Sequence, residues 1–152
     1  MQYLVDTGVL LRAFDRSVPQ QRVIFRALRK VWANGHNLVT TAQNMAEFWN
    51  VATRPAGARG GFALPVAVVD ERARVIERLG AVLPFTAGAY AEWRRLLVTH
   101  QITGVSVHDA RLVAVMIVFG ISNLLTFNDA DFQRYQGIQV GTPERILTAA
   151  GT

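Results

Sequence analysis

Residues 2–11 read QYLVDTGVLL. Gln2 to Val5 has the make-up of a short buried strand, and Thr7 to Phe14 predicts a short helix directly after it. Between them stands Asp6. A carboxylate at the edge of a core costs free energy unless something pairs with it. Asp is also a favoured helix N-cap, so the residue has two readings: a cap for the helix, or a group held for chemistry at a strand end.

The rest of the chain repeats this strand-to-helix grammar. Pro19, just after Ser17, signals a helix start. Val23, Ile24, Ala27, Leu28, Val31 and Trp32 then recur at helical spacing until Gly35. Asn37 to Thr40 predicts a strand, and Thr41 to Ala52 a helix whose apolar side holds Met45, Phe48 and Trp49. Residues 54–62, RPAGARGGF, are loop chemistry and the best candidate for a mobile segment. Pro65 to Leu79 predicts a helix closed by Gly80. Ala81 to Pro84 follows as a strand, Ala87 to Val98 as a helix, and Val107 to Phe119 as a strongly apolar helix. Asn123 to Phe127 predicts a strand that runs into the turn Asn128-Asp-Ala-Asp131. Ile138 to Val140 is a last short strand, and Pro143 opens a terminal helix. Alternation of this kind predicts an α/β fold with a central, mainly parallel sheet flanked by helices, in one domain over 1–152.

Bulk properties agree. The chain has 152 residues, 51% hydrophobic and 18% charged, and no cysteine. That is a globular composition, without disulfides or thiolate metal sites. No run is long enough to cross a bilayer, and the first residues lack a signal-peptide pattern, so a cytoplasmic location and no membrane association are expected. Net charge is +5, with sixteen basic residues against eleven acidic ones. Fifteen of the sixteen are Arg, which binds phosphate and carboxylate bidentately. Nucleic acid or an acidic protein is the partner class this charge suggests, although an Arg-rich composition alone would produce it too.

Most acids fall on solvent faces. Five do not. Asp6 ends the first strand, Glu47 interrupts the apolar helix segment Met45-Ala-Glu-Phe-Trp49, Asp109 opens the apolar helix after Ser106, and Asp129 and Asp131 follow the strand that ends in Thr126-Phe127. Ligands of open parallel sheets bind beyond the carboxyl ends of strands. Converging carboxylates repel one another and call for a cation, and an all-oxygen set suits Mg²⁺ or Mn²⁺. Each acid has a plainer reading. Asp6 and Asn128–Asp131 are good cap and turn residues, Ser106 with Asp109 has capping-box spacing, and Glu47 could pair with Arg54. His36, His100 and His108 show no ligand spacing, no G-x-S-x-G or phosphate-binding glycine pattern occurs, and Trp32, Trp49 and Trp93 sit at core spacing.

Taken in order, Tyr3-Leu-Val-Asp-Thr-Gly-Val-Leu-Leu11, Asn44-Met-Ala-Glu-Phe-Trp49, His108-Asp-Ala-Arg-Leu-Val-Ala114, Leu124-Leu-Thr-Phe-Asn-Asp-Ala-Asp-Phe132 and Gly137-Ile-Gln-Val-Gly-Thr-Pro143 resemble the PIN-domain family, and within it the VapC-type ribonuclease toxins. The resemblance implies a three-layer sandwich and a pocket of acids that binds Mg²⁺ or Mn²⁺. Asp6, Glu47 and Asp109 match its first three acids, and Asp131 matches the fourth, with Asn128 orienting it and Asp129 at a variable position. Thr7 and Thr126 fit as supports. The implied activity is metal-dependent hydrolysis of RNA, with Arg12, Arg54, Arg59 and Arg111 as candidates for holding the RNA backbone. A small antitoxin and a homodimer are the implied partners. The alternative is a PIN-fold module that binds nucleic acid or a partner without cutting.

Overall fold

A computed structural model describes residues 1–149. Five strands form one parallel sheet: β1 (Gln2–Val5), β2 (Asn37–Thr41), β3 (Gly80–Leu83), β4 (Asn123–Leu125) and β5 (Gln139–Gly141), in the order β3-β2-β1-β4-β5. Parallel neighbours need crossovers, and here helices supply them. Helices α1 (Thr7–Ala13) and α2 (Gln20–Ala33) link β1 to β2, and α3 (Ala42–Thr53) and α4 (Val66–Leu79) link β2 to β3. The chain then returns across the sheet through α5 (Ala87–Thr99) and α6 (Ser106–Val118) to β4. A 3₁₀ turn (Asp129–Phe132) leads to β5, and α7 (Pro143–Thr148) closes the described chain.

Because parallel crossovers are right-handed, reversing direction along the sheet puts the second set of helices on the opposite face. The cores record this. Val5, Leu38 and Leu125 point to one face, where Val9, Leu28, Phe48, Val69 and Ile76 cover them. Their neighbours Leu4, Val39 and Leu124 point to the other face, against Leu96, Val113, Met116 and Phe132. Strand residues alternate by two, and both faces are buried, so the strands read as unbroken apolar runs. The result is the layered, sheet-centred α/β architecture anticipated above, and it is fully parallel.

Two local expectations need correction, and two others gain detail. Trp32 is not core: it is 40% exposed, since α2 turns it to the rim. Ser17 does not start α2. It binds Asp15 Oδ1 through its backbone and hydroxyl, and the helix begins at Gln20 behind Pro19. The end of the loop after α3 folds back onto that helix. Phe62 and Leu64 donate backbone hydrogen bonds to Val51 and Ala52, and Ala63 donates to Arg54. Gly80 closes α4 but also opens β3, because β3 approaches β2 there with no room for a side chain. A Cβ on Gly80 would lie 2.2 Å from the Leu38 carbonyl oxygen. Gly80→Ala is therefore expected to cost about 1–3 kcal/mol in urea unfolding. Unchanged stability would mean that β3 sits further from β2. Among the described residues, no helix is long and apolar enough to cross a membrane.

Candidate functional site

The strand order reverses between β1 and β4. On one side of that line the chain moves outward through β2 and β3, and on the other through β5. Such a switch point leaves a crevice at the carboxyl ends of the strands, because the flanking helices depart to opposite faces. Asp6 lies at the lip of this crevice, one residue beyond β1, and its backbone N–H still continues the sheet by donating to Leu125 O at 3.0 Å. Its extended backbone makes it the N-cap of α1. The cap reading and the strand-end reading therefore describe one residue.

Its side chain is held from three directions. Oδ1 accepts from the Thr7 backbone N–H at 2.7 Å and from Asn44 Nδ2 at 3.2 Å, and Oδ2 accepts from Thr126 Oγ1 at 2.7 Å. A carboxylate has about four lone-pair positions. Three are used here, and the fourth, on Oδ2, remains. Burial pushes the Asp6 carboxyl above its ordinary value, the Thr126 and Thr7 hydrogen bonds pull the other way, and Glu47 adds to the rise.

Glu47 reaches the crevice from α3. Thr7 Oγ1 donates to its Oε2 at 2.8 Å, and Gln43 Nε2, one helical turn earlier, donates to its Oε1 at 2.9 Å. The pairing with Arg54 considered from sequence does not form. Asn44, buried at the start of the same helix, ties the set together. Its Nδ2 also donates to Thr7 Oγ1 at 3.0 Å, while its Oδ1 accepts from Thr41 Oγ1 at 2.6 Å. Thr41 in turn caps α3 by accepting from the Asn44 backbone N–H.

Asp109 comes from the first turn of α6, on the other face of the sheet. The capping-box reading does not hold, because the N-cap is Val105 and no side chain caps this helix among the described residues. Nor does the Asp109 carboxylate accept a protein hydrogen bond among them. Half-buried, it is pushed up to about 6: first by desolvation, then by the charges of Asp131, Asp6 and Glu47, with His108 drawing it slightly down. Four acids from four distant segments therefore share one electrostatic environment.

The turn after β4 separates its polar residues. Asn128 Nδ2 donates to Asp131 Oδ2, and the Asn128 backbone N–H donates to Thr126 Oγ1 at 3.0 Å. Asp131 thus faces the crevice rim, and Asp109 feels its charge. Asp129 turns away and pairs with Arg145 at 3.2 Å. Of the arginines, Arg12 acts on Asp6. It donates to Gly8 O, lies 4.8 Å from the Phe127 ring centre, and slightly lowers the Asp6 carboxyl. Arg54 donates to Arg59 O within the loop beyond α3, at the far end of that helix from Asn44. Arg111 lies 4.3 Å from the Phe85 ring centre, with Gln43 beside them in closely packed surroundings.

Reading by residue type passed over Asn44, Gln43 and Thr41, which are uncharged. A signal existed in their spacing: Gln43 and Asn44 precede Glu47 by four and three positions, which puts them on its helical face. As the side chains stand, no group of three His, Asp or Glu among the described residues is drawn together tightly enough to hold an ion. The donors do suit one. They are all oxygen, they repel one another, Asp6 keeps a lone pair, and Asp109 keeps its whole carboxylate, which fits Mg²⁺ or Mn²⁺ better than a soft metal.

A parallel sheet with acids turned toward its switch point is the fold class that the sequence led us to expect. The chain belongs to the PIN domain family, whose model matches residues 3–138. No curated protein matches it in sequence. Its fold is similar to that of VapBC2 from Rickettsia felis, in a structure bound to a DNA fragment from their promoter, with a TM-score of 0.69 and 14% identity over 93% of this chain and 98% of that one. It is also similar to VapC20 of Mycobacterium tuberculosis, a Sarcin-Ricin loop cleaving toxin, with a TM-score of 0.59 and 23% identity over 85% and 92% of the two chains. VapBC-1 of nontypeable Haemophilus influenzae gives a TM-score of 0.66 at 14% identity over 95% and 99%.

Proposed function

We propose that the protein is a metal-dependent endoribonuclease that hydrolyses RNA phosphodiester bonds, and the toxin of a VapBC-like toxin–antitoxin pair. The observation that carries this is the half-buried Asp109 carboxylate, without a protein hydrogen bond among the described residues and pushed up to about 6 beside Asp131, Asp6 and Glu47. Such a group stabilises the fold poorly and a cation well. A divalent ion, Mg²⁺ or Mn²⁺, supplies positive charge to a phosphate in flight and a more acidic water at neutral pH. Asp6 and Asp109 would hold it, with Glu47 completing the set directly or through water. Thr7, Thr126 and Asn44 keep Asp6 and Glu47 in one orientation. Asn128 fixes Asp131 Oδ2 and leaves Oδ1 to orient the attacking water.

Arg12 at the crevice mouth, with Arg54, Arg59 and Arg111, would hold the RNA backbone, which makes binding salt-sensitive. Phe25 and Trp32, 46% and 40% exposed and two turns apart on α2, support a protein partner there: the antitoxin or a second copy in a homodimer. The cytoplasm is where such a pair would act. The acids are also spaced widely enough to favour a second reading, a module that binds RNA or a partner without cutting.

One experiment separates the two. With Mg²⁺ or Mn²⁺ the protein is expected to cleave RNA, EDTA to stop it, and Asp6→Ala to abolish it with an unchanged far-UV dichroism spectrum. Normal cleavage by a folded Asp6→Ala variant overturns the mechanism. RNA binding without Mn²⁺ binding in calorimetry supports the module.

A further inference from the structure

A second concave site involves none of the four acids. A cavity of about 330 Å³ lies between the last turns of α5 and α6 and the segment that joins the 3₁₀ turn to β5. That volume is at the lower end of the range of small-molecule sites. Its lining is of two kinds. Leu96 and Ile117 are apolar, and His100 and Tyr135, whose rings meet edge to face with centres 5.3 Å apart, join them. Arg95 and Arg134 supply cations, and no acid lines the cavity.

Three polar groups there are unspent. Arg134 has no carboxylate partner among the described residues. Arg95 meets Glu92 through Nε and Nη2, which leaves Nη1. Tyr135 is 4% exposed, yet its hydroxyl is buried and has no hydrogen-bond partner among the described residues. A buried O–H without an acceptor costs free energy, so it marks a place that the fold alone does not satisfy. Burial raises the Tyr135 phenol above its ordinary value, Arg134 opposes that rise, and Asp109 and Asp131 add to it. The hydroxyl thus stands in the field of Arg134 as well as of the two acids.

An acceptor that meets a guanidinium, an imidazole N–H and a phenol O–H at once needs several oxygens in different directions. A planar carboxylate offers two. A phosphate monoester offers three, with about two negative charges at neutral pH, and guanidinium groups match it well. We propose that this cavity binds a phosphate monoester of mononucleotide size, with Arg134, His100 and the Tyr135 hydroxyl on the phosphate and Leu96 and Ile117 against the base. The site is separate from metal binding and does not depend on RNA cleavage. The same chemistry has two sources, a free mononucleotide or the phosphorylated end of an RNA strand.

Calorimetry in EDTA tests the site with UMP, with uridine, and with one short RNA bearing either a 5′-phosphate or a 5′-hydroxyl. UMP is expected to bind at least about tenfold tighter than uridine, which lacks the phosphate. Tyr135→Phe keeps the ring against His100 and Phe132 and removes only the hydroxyl. It should weaken UMP binding about tenfold and leave the melting temperature of the free protein unchanged or higher, since no internal bond is lost. Arg134→Gln should weaken UMP binding by about the same factor. Tighter binding of the 5′-phosphorylated strand than of its 5′-hydroxyl twin identifies an RNA end as the source. Equal binding of the two strands, with UMP bound, identifies the free nucleotide. The site is overturned if UMP binds no better than uridine and the 5′-phosphate adds nothing, or if Tyr135→Phe and Arg134→Gln both keep the parent's affinity. RNA cleavage with Mn²⁺ is read separately, so failure of the nuclease reading leaves this result standing.

Discussion

Asp109→Asn is expected to reduce RNA cleavage at least about 100-fold and, at the same time, to make the metal-free protein more stable at pH 7.5. The first effect follows from removing a proposed metal ligand, since even the groups that orient ligands are worth 10–100-fold. The second follows from proton linkage. Asp109 has an ordinary value of 3.8 in the unfolded chain and is pushed up to about 6 in the fold. The native state therefore holds the proton more tightly, and stability contributed by this group falls as pH rises through that interval. Above pH 6 the penalty is complete, and about 1–2 kcal/mol remains after solvent screening. Asn carries no such penalty. The stability advantage of Asp109→Asn should grow between about pH 4 and pH 6 and then level off, as read by thermal melts of both proteins across pH. On the proposed reading, Mn²⁺ should raise the melting temperature of the parent more than that of the variant, because it would bind the native carboxylates. Identical melting curves at pH 5 and pH 7.5 would show that Asp109 is not electrostatically strained.

Asn44→Ala tests the scaffold instead of the ligands. Asn44 is 1% exposed and joins Asp6, Thr7 and Thr41 by three side-chain hydrogen bonds. Its removal leaves the buried Thr41 O–H without its acceptor and takes one donor each from Asp6 and Thr7. An orphaned buried polar group costs about 1–3 kcal/mol, so a total of about 2–4 kcal/mol in urea unfolding is expected. The α3 cap survives, because it uses the Asn44 backbone N–H. Cleavage should fall about 10–100-fold as Asp6 and Glu47 lose their common brace. Full activity in a destabilised Asn44→Ala variant would assign Asn44 to folding alone.

These two residues also mark what could be read from the chain before its structure. Asp109 stood out because a charge in SVHDARLVAVM violates its surroundings, and the same contrast drew attention to Asp6 and Glu47. Asn44 did not stand out. A buried amide is recognised by the partners that satisfy it, and Asp6 lies 38 residues away in sequence. Strands and long helices were legible because apolar period and turn chemistry agree along them, as at Gly35, which ends α2. Trp32 misled because helical spacing assigns a residue to a stripe without saying how wide the buried part of that stripe is. Gly80 was legible as the stop of α4, because that signal is local, while its close approach to Leu38 was not.

Thr126 and Asp6, which clasp one another across β4 and β1, are 120 residues apart. Long-range pairing of this kind is slow to form, because the entropy of closing the loop must be lost before the contact rewards it. The central strand waits for a partner made near the far end of the domain. During that interval Asp6, Glu47, Asp109 and Asp131 are dispersed along a chain without a common crevice. The proposed endoribonuclease activity would therefore be absent while the chain is being made and would arise as a late, single event in folding.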